Sequence, residues 1–415
     1  MNSAIAATIG LLVAIFLIIK KLSPVYSLLL GALLGGLLSG WGLEATVSEM
    51  ISGVKDITPA IVRILAAGVL TGMLVKTGAA ARISFTIVDK LGQKRVYMAL
   101  ALSALLLTAM GVFIDVAVIT IAPIAFMVGR RLRLSRSKLL FAMIGGGKCG
   151  NIVSPNPNTI IAADNYGAPL PSVMGAGVLP ALLGLLVTVF LIVPLVPAKD
   201  TMEGEAEDID VQSLPSFLAS IAGPVVAILL LALRPICGIV IDPMVALPVG
   251  GVVGLFTTRC WKQSAESLTY GLGKMSGIAV LLVGTGTLAG IIKASAIKDV
   301  LIGLLAGWSN GAMLLAPLSG TLMCAASAST TAGATIASAS FAQTVLAAGV
   351  SAVWAAAMTN AGATVLDHLP HGSFFHATGG SMGMDVKERL KLIPYESLVG
   401  LALTVFCVIS FLILS

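Results

Sequence analysis

The stretch MIGGGKCGNIVSPNPNTIIAADNYGAP (143–169) is apolar enough to belong to a membrane span, yet it cannot be one unbroken helix. Gly145, Gly146 and Gly147 loosen it, and Pro155 and Pro157 each lack the N–H that an α-helix requires. The helix is therefore expected to unwind near mid-membrane. Freed backbone groups are tolerated there only where they face protein or a water-filled cavity. Asn151, Ser154, Asn156, Asn158 and Thr159 add neutral donors and acceptors, and together with Gly150 they are candidate substrate contacts. Lys148 adds a positive charge able to hold a carboxylate, or one that snorkels to the interface.

Working outward, the whole chain has the composition of a membrane protein. Its 415 residues are 57% hydrophobic and 11% charged, with a mean hydropathy of +1.03, where soluble domains carry roughly a quarter charged residues. A chain of this size has room for about ten transmembrane helices, and none for a soluble catalytic domain. The 45 glycines and 18 prolines lie mostly inside apolar stretches, where they permit close packing and broken helices. Cys149, Cys237, Cys260, Cys324 and Cys407 form no CxxC pair and read as packing residues. The first apolar run, Ile5 to Ile19, has no basic region before it and reads as a retained helix rather than a cleaved signal. GGGKCGN lacks the spacing of a phosphate-binding loop, so ATP is not the expected energy source.

Apolar runs in the first half fall near 4–19, 24–41, 59–75, a hairpin-like stretch 97–129, a broken helix 139–165 and 172–197. The second half repeats the list near 214–233, 243–258, 275–292, a hairpin-like stretch 311–346, a broken helix 347–378 and 394–415. Residues 1–197 and 214–415 are thus expected to be two repeats, joined by an acidic cytoplasmic linker at 198–213. With both hairpins entering and leaving on one side, nineteen of the 25 Lys and Arg fall on one face, which the positive-inside rule makes cytoplasmic. Each second-half element then runs opposite to its partner, an inverted-topology repeat. LTGMLVKTGAAARI (70–83) also resembles LAGIIKASAIKDV (288–300).

Three further segments carry chemistry. MGVFIDVAVITIAP (110–123) sets Asp115 in an apolar run, at an insertion cost of about 2.5–3.5 kcal/mol. It reads as a proton or cation site, or as a structural carboxylate. CAASASTTAGATIASAS (324–340) places Ser327, Ser329, Thr330 and Thr331 where a re-entrant tip should be, and tip hydroxyls and amides at a half-helix N-terminus suit an anion. MTNAGATVLDHLPHGSFFHATGG (358–380) holds Asn360, a candidate for substrate hydroxyls, and Asp367 beside His368, with His371 and His376 nearby. The histidine spacings do not match a zinc motif, and proton handling by Asp367, His368 and His371 suits imidazole better.

In this order the four segments resemble the gluconate permease family, within the ion transporter superfamily of organic-anion carriers. GVFIDVAVITIAPIAFM is similar to that family's acidic hairpin, IVSPNPNTIIAADNYG to its proline-rich broken helix, SASTTAGATIAS to its second hairpin, and GMDVKERLKLIPYESLVG to its ending. The family carries histidine near the proline-rich break, where this chain has Gly150 and Asn156, and an Asn-Asp-Ser-Gly-like stretch where this chain has LDHLPHGSFF. The resemblance implies an all-α polytopic inner-membrane protein with two re-entrant hairpins. It also implies a scaffold that anchors a homodimer and a transport part that moves like an elevator.

The expected function is proton-coupled symport of gluconate or a related sugar acid, with no bound cofactor, metal or nucleic acid. The rivals are a sodium-coupled carboxylate symporter, a sodium/proton antiporter and a channel. An intramembrane enzyme is disfavoured because no nucleophile and base pair appears.

Overall fold

The computed structural model describes residues 2–198, 200–202, 210–296, 311–370 and 372–414. Among them the chain is helical, apart from an isolated bridge between Ser135 and Thr201. The first half comprises α1 (Ser3–Ile19), α2 (Pro24–Leu38), α3 (Gly42–Lys76), α4 (Ala79–Leu91), α5 (Val96–Ala109), α6 (Ile114–Leu132), α7 (Arg136–Asn151), α8 (Pro157–Tyr166) and α9 (Leu170–Leu186). A π turn over Val187–Ile192 carries α9 on to Leu195. The second half comprises α10 (Phe217–Cys237), α11 (Pro243–Thr257), α12 (Ser264–Ala294), α13 (Gly311–Ser327), α14 (Thr330–Ala347), α15 (Ala352–Gly362), α16 (Ser373–Ser381), α17 (Val386–Leu390) and α18 (Ile393–Leu414).

Each half has two helices, a long helix, a helical hairpin, a broken helix and a closing helix, and among the described residues the first half adds α4 and the second the short α17. The hairpins turn at Gly111 (φ +101°) and at Ala328 (φ +47°). Both residues occupy the left-handed region, which costs nothing at glycine and is strained at alanine. Between α7 and α8 the chain breaks at Ile152–Asn156, and the local sequence restarts it. Asn156 caps α8 by accepting from the Thr159 N–H, Pro157 takes the first helical position, and Gly167 closes the helix at φ +66°.

Five helical stretches among the described residues are long and apolar enough to cross a membrane by length and composition: Gly42–Lys76, Leu170–Leu195, Phe217–Arg234, Trp261–Ala294 and Val386–Leu414. Five more apolar helices are shorter, and this separates the structure from the expectation of about ten comparable spans. The third run of each half is also longer than expected. The stretch 59–75 is the end of the 35-residue α3, and 275–292 lies within the 31-residue α12. Hydropathy detects only the apolar part of each. Their polar turns stay helical because the two helices support one another.

That support is backbone against backbone. A Cβ on Gly72 would come within 2.0 Å of the Ser267 carbonyl, one on Gly271 within 2.0 Å of the Gly68 carbonyl, and one on Gly290 within 2.1 Å of the Glu49 carbonyl. Lys76 to Glu266 and Lys293 to Asp56, each 2.8 Å, pin the antiparallel pair near its two ends. Around it pack α2 and α11, with α1 on α2 and α10 on α11. A second set packs α5 and α6 on α7, α13 on α14 and α15, and α14 and α15 on α8. The two sets meet along a seam where α3 faces α8 and α12 faces α14. At one end of the seam Arg63 of α3 pairs with Asp164 of α8 and donates to Asp242 at the start of α11. The guanidinium bond, with the Met244 N–H, holds the Asp242 carboxyl below its ordinary range.

The linker expected at 198–213 is anchored at its start. Met202 donates its N–H to Leu134 O (2.9 Å), and the Asp200 carboxylate accepts from Ser135 Oγ (2.6 Å) and Ser137 Oγ (2.7 Å). Glu203, Glu205, Glu207 and Asp208 lie outside the described residues.

Gly271→Val should destabilise the protein by about 1–3 kcal/mol through overpacking of α3 on α12. Gly273→Val, on the same helix where an added Cβ meets nothing within 4 Å, should be near neutral. Unfolding of the two purified variants in detergent tests the difference.

Candidate functional site

The break after α7 is held by amides bonding to amides. Asn156 donates to the Asn151 carbonyl (3.1 Å) and to the Asn151 side-chain oxygen, and it accepts from the Thr159 hydroxyl (3.1 Å). Asn158 donates to Asn360 Oδ1 (2.7 Å), and Asn360 donates in turn to Thr159 Oγ1 (3.0 Å). The broken helices of the two halves are thus stitched together at their open ends. Two groups are left over: Asn151 Nδ2 and Ser154 Oγ are buried and have no protein partner. An unmade hydrogen bond in a buried site costs about 1–3 kcal/mol, so such a donor is recovered by a ligand or by water.

Behind this amide layer sits a buried charge cluster. Lys148 is fully buried, and its ammonium donates to Thr364 O (2.6 Å) and Asp367 Oδ1 (2.5 Å) and lies 3.0 Å from His368 Nδ1. Three protons meet three acceptors. His368 Nε2 lies 3.0 Å from Ile393 O, a group that only accepts, so Nε2 carries the ring proton and Nδ1 is left free to accept from Lys148. Further along, Glu396 lies 3.9 Å from His368 Nδ1 and forms a buried pair with Arg389, which donates to Thr378 Oγ1 (3.2 Å). Buried charges persist where they are paired and hydrogen-bonded in this way.

Asp367 joins the cluster to a cavity. Its Oδ2 accepts from Thr330 Oγ1 (2.7 Å) at the tip of the second hairpin. The cavity there, about 270 Å³, is lined on one side by Asp115, Asn151, Asn158, Ser329–Thr331 and Asp367, and on the other by Lys274, Ile278 and Leu281 of α12. Helices α6, α8, α14 and α16 all present residues of their first turn or their N-cap to it: Asp115, Asn158, Thr330 and Ser373. Helix N-termini carry partial positive charge and unpaired N–H groups, so this convergence suits an anion. The neutral amides and hydroxyls suit its hydroxyl groups.

The structure thus brings together Asp115, Asn151, Asn158, Ser329, Thr330, Thr331 and Asp367. Other expected contacts stand back from the cavity. Lys148 is committed to Asp367, Thr364 and His368, so it neither snorkels to an interface nor faces a substrate carboxylate. Gly150 is a packing position, where a Cβ would come within 2.1 Å of both Leu105 O and Thr108 Oγ1. Ser154 is buried without a partner, and Ser327 bonds back to Met323 O. Asn156, Thr159 and Asn360 serve the amide layer. His371 lies outside the described residues, and His376 is exposed and bonds Pro370 O.

Missed by sequence reasoning are Lys274, counted there among the basic loop residues, and Phe113, Ser373 and Phe374. Lys274 was detectable only from the true start of α12 at Ser264, which places it almost three turns into the helix.

The sequence profile of the GntP family permease matches residues 3–415. An uncharacterized transporter of Haemophilus influenzae is 54% identical over 410 residues, covering 99% of this chain and 98% of its own. A gluconate permease of Pseudomonas aeruginosa is 26% identical over 343 residues, covering 75% of each. The crystal structure of the YdaH transporter of Alcanivorax borkumensis superposes with a TM-score of 0.64 at 16% identity, covering 90% of this chain and 89% of that one.

Lys148→Met should cost about 3–5 kcal/mol in detergent unfolding, because it strands Asp367 as a buried unpaired charge. Lys148→Met combined with Asp367→Leu should recover part of that loss. Asp115→Asn, at a half-buried cavity wall, should leave stability near wild type.

Proposed function

The chain belongs to the GntP family of permeases, and on that premise we propose that it carries a small hydroxylated organic acid, of the gluconate or related sugar-acid kind, across the cytoplasmic membrane together with protons. The family makes it a multi-pass membrane transporter and not an enzyme. The observation that carries the substrate class is the cavity itself, where four helix N-termini and the free Asn151 amide converge on a space of about 270 Å³. The carboxylate lies at the helix N-termini, while Asn151, Asn158 and the tip hydroxyls read the hydroxyl groups.

In this reading the chain is an inverted repeat. Helices α1–α3 and α10–α12 form the scaffold of a homodimer. The two hairpins and the two broken helices form the part that moves, elevator-like, along the seam. A second cavity of about 380 Å³ supports this, because it lies on the same seam and is lined by Ala289, Gly290, Ile292 and Lys293 of α12 with Asp164, Asn165, Ser338 and Gln343. It begins about 12 Å beyond Leu281, the last residue of α12 at the first cavity. Asp115, Asp367 and His368 are the proton-handling groups. Asp115 serves best, because it lies at the cavity wall and among the described residues forms no ion pair, while His368 stands behind Asp367 with its Nδ1 beside the Lys148 ammonium.

Proteoliposomes given labelled gluconate should accumulate it under an acid-outside pH gradient and not under a sodium gradient alone. Sodium-driven uptake would reassign the coupling ion. Sodium/proton exchange without organic uptake would make the protein an antiporter. Asp115→Asn should lose gradient-driven accumulation while retaining exchange of internal for external substrate, since exchange needs no net proton movement.

A further inference from the structure

We propose that Lys274 reads the substrate's carboxylate, and that it does so from the stationary side of the seam, so that its attraction acts at one face of the membrane only. This rests on the transport reading above and extends it to a residue that neither family resemblance nor composition singles out.

Lys274 is the one basic residue among those lining the site cavity, where it faces Asp115, Asp367 and the tip hydroxyls. Asp367 is already compensated by Lys148. The neighbouring acid on α12, Glu266, is taken by Lys76. Among the described residues no carboxylate forms an ion pair with Lys274, and its ammonium rests 5.7 Å from the centre of the Tyr270 ring. An unpaired, half-buried cation beside converging helix N-termini and an orphaned amide donor is a built anion site.

Its placement gives the site a direction. The other polar lining groups come from α6, α7, α8, α14, α16 and the turn that holds Asp367. Lys274 alone among them stands on α12, whose glycines lock it to α3 backbone against backbone. When the moving part slides along the seam, the helix N-termini travel with the substrate and Lys274 stays behind. A contact made in one state only shifts the loaded carrier toward that state by its differential affinity. Lys274 therefore favours the state in which the cavity lies at the Lys76–Glu266 end of the α3–α12 pair.

The test uses full-length protein in proteoliposomes of defined orientation, with D-gluconate, D-glycerate and D-serine as probes. KM is measured separately from each face for wild type, Lys274→Gln, Lys274→Met and Lys274→Arg. Met keeps the apolar stem against Tyr270 should Gln impair folding. Loss of the charge-assisted contact should raise KM about tenfold from the face at which Lys76 lies and leave the other face unchanged, with Arg restoring most of the affinity. A variant with wild-type KM at both faces overturns the assignment, and an equal rise at both faces overturns its one-sidedness. If none of the probes is transported or stabilises the wild-type protein in detergent, the transport reading itself fails, and this inference fails with it.

Discussion

A buried lysine has three protons to place, and the site depends on where Lys148 places them. It reaches Asp367, the Thr364 carbonyl and His368, all from the second half of the chain. An ammonium stranded in a membrane interior would cost several kcal/mol, so this arrangement fixes how the two broken helices approach each other. Asp367 then passes the constraint to Thr330 at the hairpin tip, and His368 passes it to Ile393 and Ser397 on α18. The groups that line the cavity are held by a cluster that does not itself touch the cavity except through Asp367.

Rigidity is distributed unevenly as a result. The α3–α12 pair is locked by glycine contacts that leave no room for sliding, since any shift along the axis would drive side chains into backbone. The bundle that carries the site is knit internally by the amide layer and the Lys148 cluster. Between the two, α14 meets α12 where Ile336 and Ala337 pack with Leu288, Ile291 and Ile292, and the cavities of about 270 and 380 Å³ open along the same seam.

Much of this was legible in the sequence because membrane insertion taxes charge and unpaired backbone heavily. Pro155 and Pro157 located the break, and the Ser/Thr run located the second tip. Roles were harder to read than places. Lys148 and Asp367 were visible as anomalous charges, but one sequence cannot say that each is the other's explanation, because their partnership spans 219 positions. Asn156 and Thr159 read as substrate contacts, yet both are consumed in capping α8. Lys274 was hidden by hydropathy, which ends a span where the apolar run ends, while the helix continues for as long as a neighbour supports its polar turns.

Counting charges on the part proposed to move gives a reason for coupling. Lys148 cancels Asp367, and Arg389 cancels Glu396. Asp115 remains as the uncompensated charge at the cavity wall on that side of the seam. An organic anion entering a space of about 270 Å³ would sit close to that carboxylate, and two like charges in a shared low-dielectric site drive one of them to take a proton. In the proposed cycle, loading the acid and protonating Asp115 are therefore linked, and each raises the affinity for the other by the same factor. Lys274 offsets the repulsion only while the cavity lies beside it. Once the bundle moves away in that proposed cycle, the proton alone offsets the repulsion between the anion and Asp115, which is the physical reason the proposed coupling would be obligatory.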